Sequence, residues 1–168
     1  MAAELVYEEA FDVLLANDLC LNNGGLCVLK VMAVSFKQIR SSIVAVIEVP
    51  QNQVHKYGVV AGVLSSDNLI KVNTMVEKPS AEDAPSNLAE IGRYILTPDI
   101  FNIIENLPAG ENGEIQLIYA LSEQAKNGYV IAYKFKGYCF DCGSMDGSGE
   151  ATSYYYKNYH LKIQRIFE

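Results

Sequence analysis

Residues 42–49 read SIVAVIEV, a run in which Ser42 and Glu48 are the polar members and most of the rest are β-branched. Continuous rather than alternating hydrophobicity suits an interior strand covered on both faces. Working upstream, residues 26–39 place Leu29, Met32, Ala33, Phe36 and Ile39 at roughly helical spacing, after a turn-forming stretch at 22–25. Before that turn, the apolar run at 11–16 has the length and bounds of a buried strand, and the opening MAAELVYEEA reads as a short acidic helix or a frayed start. Strand, helix, strand is the order of an α/β unit, and it sets the expected fold class.

Downstream, YGVVAGVL and LIKVNTMVEK flank a turn at 65–68 and read as two paired strands, so the sheet is expected to be mixed. The segment 82–87 carries Asp, Pro, Ser and Asn and reads as a loop, followed by a strand at 91–96. Pro98 suits the first turn of a helix over 99–106, which the glycines at 110–113 break. A helix over 114–126, a strand over 129–135, a loop through the turn at 141–143 and a last helix near 146–159 complete the order.

Half of the 168 residues are hydrophobic, enough for one sizeable core, and a single domain over 1–168 is expected. Thirteen basic against 20 acidic residues give a net charge of -7, which opposes attraction to nucleic acid or an anionic membrane. Neither is expected as a partner. No apolar run approaches the roughly 18 residues of a membrane-spanning helix. Four cysteines (Cys20, Cys27, Cys139 and Cys142) follow no signal peptide, which favours reduced thiols in a cytoplasmic protein. Cys139 and Cys142 have CxxC spacing, yet no second such pair accompanies them and His55 and His160 are distant in sequence, so ordinary thiols are favoured over a zinc or redox site.

For chemistry, a ligand that carries both hydroxyls and a phosphate would need a carboxylate to accept from the hydroxyls, a cation to balance the phosphate and close backbone approach. Glu77 and Lys78, ending a predicted strand, offer the first two; an isolated pair of this kind is also compatible with a solvated strand edge.

The stretches VEKPSAEDAPSNLAEIGRYILTPDIFNII (76–104), GENGEIQL (110–117) and AYKFKGYCFDCGSMDG (132–147), with LLANDLC, SIVAVIEVP and HKYGVV upstream, resemble the C-terminal half of bacterial UTP-glucose-1-phosphate uridylyltransferases, the UDP-glucose pyrophosphorylases. The resemblance covers about 11–159. It implies a partial nucleotide-diphosphosugar transferase fold, a mixed β-sheet flanked by helices. The family's reaction joins UTP and glucose 1-phosphate into UDP-glucose and pyrophosphate with magnesium. Carried over by motif, Glu77 meets sugar hydroxyls and Lys78 the phosphate, so glucose 1-phosphate or UDP-glucose is the implied ligand. Gly58 would let the main chain approach the sugar, although a strand-end or bulge glycine fits the sequence equally. Asp141 and Gly143 would lie at the pocket rim, or form a structural turn only.

Several positions depart from the resembled family. Asn17 stands where the first carboxylate of the magnesium site is expected, leaving Asp18 as a weak substitute; as neighbours on a strand the two would face opposite ways. Ile118 and Tyr119 replace a Thr-Asp pair that the resemblance ties to the metal region, and Cys139 replaces a basic or polar residue. The family's Gly-rich triphosphate loop, which lies N-terminal to the resembled region, has no counterpart here, and Gly24-Gly25 lacks the length and basic partners to substitute. The expectation is a sugar-phosphate subsite with lost or reduced catalysis; the alternative is a non-catalytic, self-associating module with a vestigial site. The strands at 11–16 and 42–49 are expected to expose an edge or face, leading to a homo-oligomer or to pairing with another chain.

Overall fold

The computed structural model describes residues 2–6, 8–22, 25–109 and 113–160. Among them, six strands form a mixed sheet in the order β1-β6-β3-β7-β5-β4, with a further bridge between β6 and β4. The strands are β1 (Phe11–Leu14), β3 (Ser42–Glu48), β4 (Gly58–Ser66), β5 (Leu69–Glu77), β6 (Leu88–Leu96) and β7 (Val130–Lys134). A separate two-stranded ribbon joins β2 (Asp18–Asn22) to β8 (Gly137–Asp141).

The predicted interior strand is interior. Ser42 through Val46 are fully buried, with β6 antiparallel on one side and β7 parallel on the other. The two-residue period of a strand divides its side chains between two cores. Val44 and Val46 pack with Ile100 of α3 (Asp99–Asn106) and with Ile118, Leu121 and Ala125 of α4 (Leu117–Lys126). Ile43 and Ala45 pack on the opposite face with Val28 and Met32 of α2 (Val28–Ile39). Met32 is wholly buried, and truncating it to alanine would cost about 2–5 kcal/mol by loss of burial and creation of a cavity. A turn at Arg40, left-handed at φ 56°, ends α2 by donating its backbone N–H to Phe36 at 2.9 Å, and the chain reverses directly into β3.

Five expectations change. β1 is an edge strand paired to β6 alone, and Leu14 and the following Leu15 are 53% and 43% exposed, so the run at 11–16 is not a buried strand. Conversely, Ser42–Val46 of β3 expose neither edge nor face, because β6 and β7 pair with the strand's edges and α2, α3 and α4 cover its faces. Both strands of the ribbon escape the sequence reading, since their partly buried side chains lack a clean alternation. α4 begins at Leu117 rather than at 114, and β6 starts at Leu88 rather than at 91. The last helix, α5 (Met145–Tyr155), is capped by Ser144, whose hydroxyl accepts from the Gly147 N–H at 3.0 Å; a π-helical turn over Tyr156–His160 follows. The expected turn at 22–25 and the glycine break at 110–113 fall partly, and the tail at 162–168 wholly, outside the described residues.

Candidate functional site

The ribbon packs beside the ends of β4, β5 and β6, and a cleft of about 300 Å³ opens between them. Its lining includes Asn17, Asp18, Gly58, Glu77, Lys78 and Asp141, six of the seven residues singled out from the sequence. Gly143 does not line it. Instead, the Gly143 N–H donates to Asp141 Oδ1 at 2.9 Å and holds that carboxylate in a tight turn.

Local irregularity positions the acidic wall. Between Val44 and Val46 of β3 the register on β6 jumps from Tyr94 to Glu90, a bulge that takes Gly92 out of the ladder. The Gly92 N–H donates to Asp18 Oδ2 at 2.8 Å, and its carbonyl accepts from the Leu15 N–H at 2.9 Å. A Cβ at this position would come within 2.4 Å of Leu15 Cβ and 2.6 Å of Asp18 Oδ2, so only glycine fits. Arg93 finishes the clamp, donating to the carbonyls of Leu15 at 3.1 Å, of Gly92 at 2.7 Å and of Asp18. Sequence reasoning missed Gly92 and Arg93; the IGRY run carried the signal, a glycine inside a strand pattern.

Glu77 and Lys78 close β5. Their ion pair spans 3.5 Å, with Glu77 21% and Lys78 60% exposed, so the lysine reaches solvent across the cleft mouth. Lys78 adopts a left-handed backbone at φ 44°, unusual for a residue with a side chain, and its N–H donates to the Tyr57 carbonyl at 3.0 Å. Gly58 pairs with Glu77 across β4 and β5. An added Cβ there would meet Ile118 Cδ1 at 2.5 Å and the Glu90 carboxyl at 2.8 Å, so packing inside the chain already demands a glycine at this point of the cleft lining. Ile118 belongs to the buried core and Tyr119 is 40% exposed; neither lines the cleft, so their position is not part of the acidic wall.

Glu90, also unforeseen, lies in the cleft floor beside apolar Ala89, Ile91 and Tyr94. Burial first, and then the negative charge of Glu77, push its carboxyl from an ordinary 4.5 to about 7, against a hydrogen bond from Tyr94. Its Oε2 is buried with no hydrogen-bond partner among the described residues. The Tyr94 hydroxyl is in turn pushed well above its usual value by burial and by the Glu90 charge. Lys56 and Lys78 supply the cations of a cleft otherwise edged by Asp18, Glu77, Glu90 and Asp141.

Asn17 and Asp18 do not face opposite ways. Asn17 occupies the turn before β2, and its side-chain amide donates toward Asp18 Oδ1 at 3.5 Å and Asp141 Oδ1 at 3.3 Å. An amide nitrogen therefore sits where a cation shared by the two carboxylates would sit. No cluster of three His, Cys, Asp or Glu side chains suited to a metal occurs among the described residues. Asp18 and Asp141 are the two carboxylates that converge here, and magnesium is commonly held by one or two carboxylates together with waters and substrate phosphates. The arrangement can accept hydroxyl hydrogen bonds and offer lysine charge to a phosphate; among its lining residues there is no paired nucleophile and base.

The family model described as nucleotidyl transferase matches residues 1–158. A UTP-glucose-1-phosphate uridylyltransferase of Pseudomonas aeruginosa is 57% identical over 154 residues, covering 92% of this chain and 55% of the relative. One from Streptococcus pneumoniae is 40% identical over 149 residues, covering 87% and 50%. A solved UDP-glucose pyrophosphorylase in complex with UDP-glucose superposes with a TM-score of 0.88 at 49% identity, covering 93% of this chain and 59% of that one. The UTP-bound enzyme from Acinetobacter baumannii gives 0.83 at 32% identity, covering 99% and 58%. The chain thus spans about half the length of the curated relatives it matches. Among the described residues no helix is long and apolar enough to cross a membrane.

Proposed function

The chain belongs to the nucleotidyl transferase family, and from that premise we propose that its cleft binds the glucosyl phosphate moiety of glucose 1-phosphate or UDP-glucose, without turnover by these 168 residues alone. The observation that carries the reading is the convergence of Glu77, Lys78, Gly58 and Asp141 on one cleft, from a strand pair and a ribbon distant in sequence. Glu77 accepts from ring hydroxyls, and Lys78, exposed at the mouth beside it, meets the phosphate. The apolar wall of Ile47, Val49 and Ile91 packs on the C–H face of the ring. The likeness to a structure holding UDP-glucose supports the same ligand class.

Transfer of a nucleotidyl group needs dense positive charge around the phosphates in flight. Two lysines facing four carboxylates do not supply it, and Asn17 cannot replace a carboxylate at the expected metal position. The triphosphate grip, and any metal-binding oxygens beyond those of Asp18 and Asp141, would have to come from residues outside these 168 or from another chain. Calorimetric titration with UDP-glucose tests the binding reading: saturable heat that disappears in Glu77→Ala supports it, and no heat at millimolar ligand refutes it. Pyrophosphate release from UTP and glucose 1-phosphate by the same protein, with magnesium, would refute the absence of turnover.

A further inference from the structure

The CxxC spacing in the sequence pairs Cys139 with Cys142, but the fold pairs it with Cys20. The two are directly opposite in the antiparallel ribbon, flanked by the pairs Leu19↔Phe140 and Leu21↔Tyr138. Their sulfurs stand 3.1 Å apart, inside the sum of two sulfur radii. Directly opposed residues of antiparallel strands have Cα atoms about 4.5–5.5 Å apart, within the span that a disulfide bridges without moving the backbone. Both side chains are half-buried against the α2 core, and Cys139 also faces the cleft. Cys142 is turned elsewhere, its thiol on the Phe140 carbonyl at 3.7 Å.

We propose that Cys20 and Cys139 form a reversible thiol–disulfide site whose co-reactant is a small-molecule disulfide that enters through the cleft. Cys20, whose thiol the hydrogen bond from Cys139 and the nearby Arg93 charge pull below its usual value, attacks one sulfur of the small disulfide as thiolate. A mixed disulfide forms on Cys20, the small molecule's own S–S bond breaks, and one small thiol leaves, taking up a proton. Cys139, already in contact and no longer held protonated by a Cys20 thiolate, loses its proton and attacks the Cys20 sulfur, forming the Cys20–Cys139 bond and expelling the second small thiol. Two protein thiols are oxidised and one small disulfide is reduced to two thiols, so electrons and protons balance.

The consequence lies in what the ribbon carries. The next-but-one pair along the ladder is Asp18↔Asp141, whose carboxylates edge the cleft, and the bond would pin that end of the ribbon. A covalent link between positions this far apart in sequence constrains the unfolded chain strongly, so the oxidised protein is expected to resist urea better than the reduced one.

The experiment exposes the purified chain to excess oxidised glutathione, then reads intact mass, free-thiol count and a non-reducing peptide map. The expected result is a mass lower by two hydrogens with no retained glutathione, loss of two of the four thiols, a Cys20–Cys139 linked peptide, a raised urea midpoint and full reversal by dithiothreitol. Cys139→Ser is expected to halt the reaction at a stable glutathione adduct on Cys20, whereas Cys142→Ser behaves as wild type. The wild-type measurements alone suffice if a variant fails to fold. A persistent adduct on wild-type Cys20 or Cys139, a link through Cys142, an unchanged thiol count, or an unchanged urea midpoint in the linked protein would overturn the proposal.

Discussion

Substituting Glu90→Gln removes a proton-binding group that burial has pushed from 4.5 to about 7. One pH unit corresponds to about 1.4 kcal/mol, so ionising this carboxyl in the folded chain costs about 3 kcal/mol more than ionising it in the unfolded chain. The sign follows from proton binding. Between pH 4.5 and about 7 the folded wild type keeps a proton that the unfolded chain has released, so the group's stabilising contribution is complete below 4.5 and is lost as pH rises through about 7. Glutamine stays neutral throughout. All other titrating groups are common to both proteins, so the difference between their unfolding free energies isolates position 90. Urea denaturation followed by tyrosine fluorescence suits a chain with 11 tyrosines and no tryptophan. From pH 4.5 to 8 the variant is expected to gain roughly 3 kcal/mol on the wild type, levelling off above about pH 7. A difference that stays constant with pH, or that moves toward the wild type as pH rises, would refute the buried, disfavoured carboxylate.

Gly92→Ala would drive a methyl into Leu15 and Asp18 and is expected to destabilise by about 1–3 kcal/mol, read as a lower urea midpoint. Lys78→Gly relieves a left-handed backbone that costs a side-chain-bearing residue about 1–2 kcal/mol, so its midpoint should rise while calorimetric affinity for glucose 1-phosphate falls. Arg93→Ala removes the guanidinium shared by the carbonyls of Leu15, Gly92 and Asp18, and faster amide exchange across β1 and the start of β2 is the expected signature.

Hydrophobic pattern carried the main sheet well. SIVAVIEV announced a doubly covered strand because continuous apolar character has few other uses in a run of that length, and the paired β4 and β5 followed from two β-branched runs around a turn. The ribbon was illegible for the opposite reason. DLCLN and GYCFD are partly buried along their lengths, and their pairing depends on contact across more than a hundred residues that no local pattern encodes. Placement at the cleft followed the same division. Glu77, Lys78 and Asp141 are marked by motif, whereas Glu90 carries no local signal, because the apolar pattern of β6 becomes clear only from Ile91. The contact of Cys20 with Cys139 was hidden by the nearer and more familiar CxxC. Reading Asn17 and Asp18 as strand neighbours failed because Asn17 lies in a turn, which lets both side chains share one cavity.

The most direct test of where the ligand sits is methyl chemical-shift mapping of isotope-labelled protein titrated with glucose 1-phosphate. Saturable shifts concentrated on Ile47, Val49, Ala89 and Ile91, and absent in Glu77→Ala, are the predicted outcome. Shifts centred instead on the apolar groove of Leu19 and Ala151, or none at all at millimolar ligand, would contradict it.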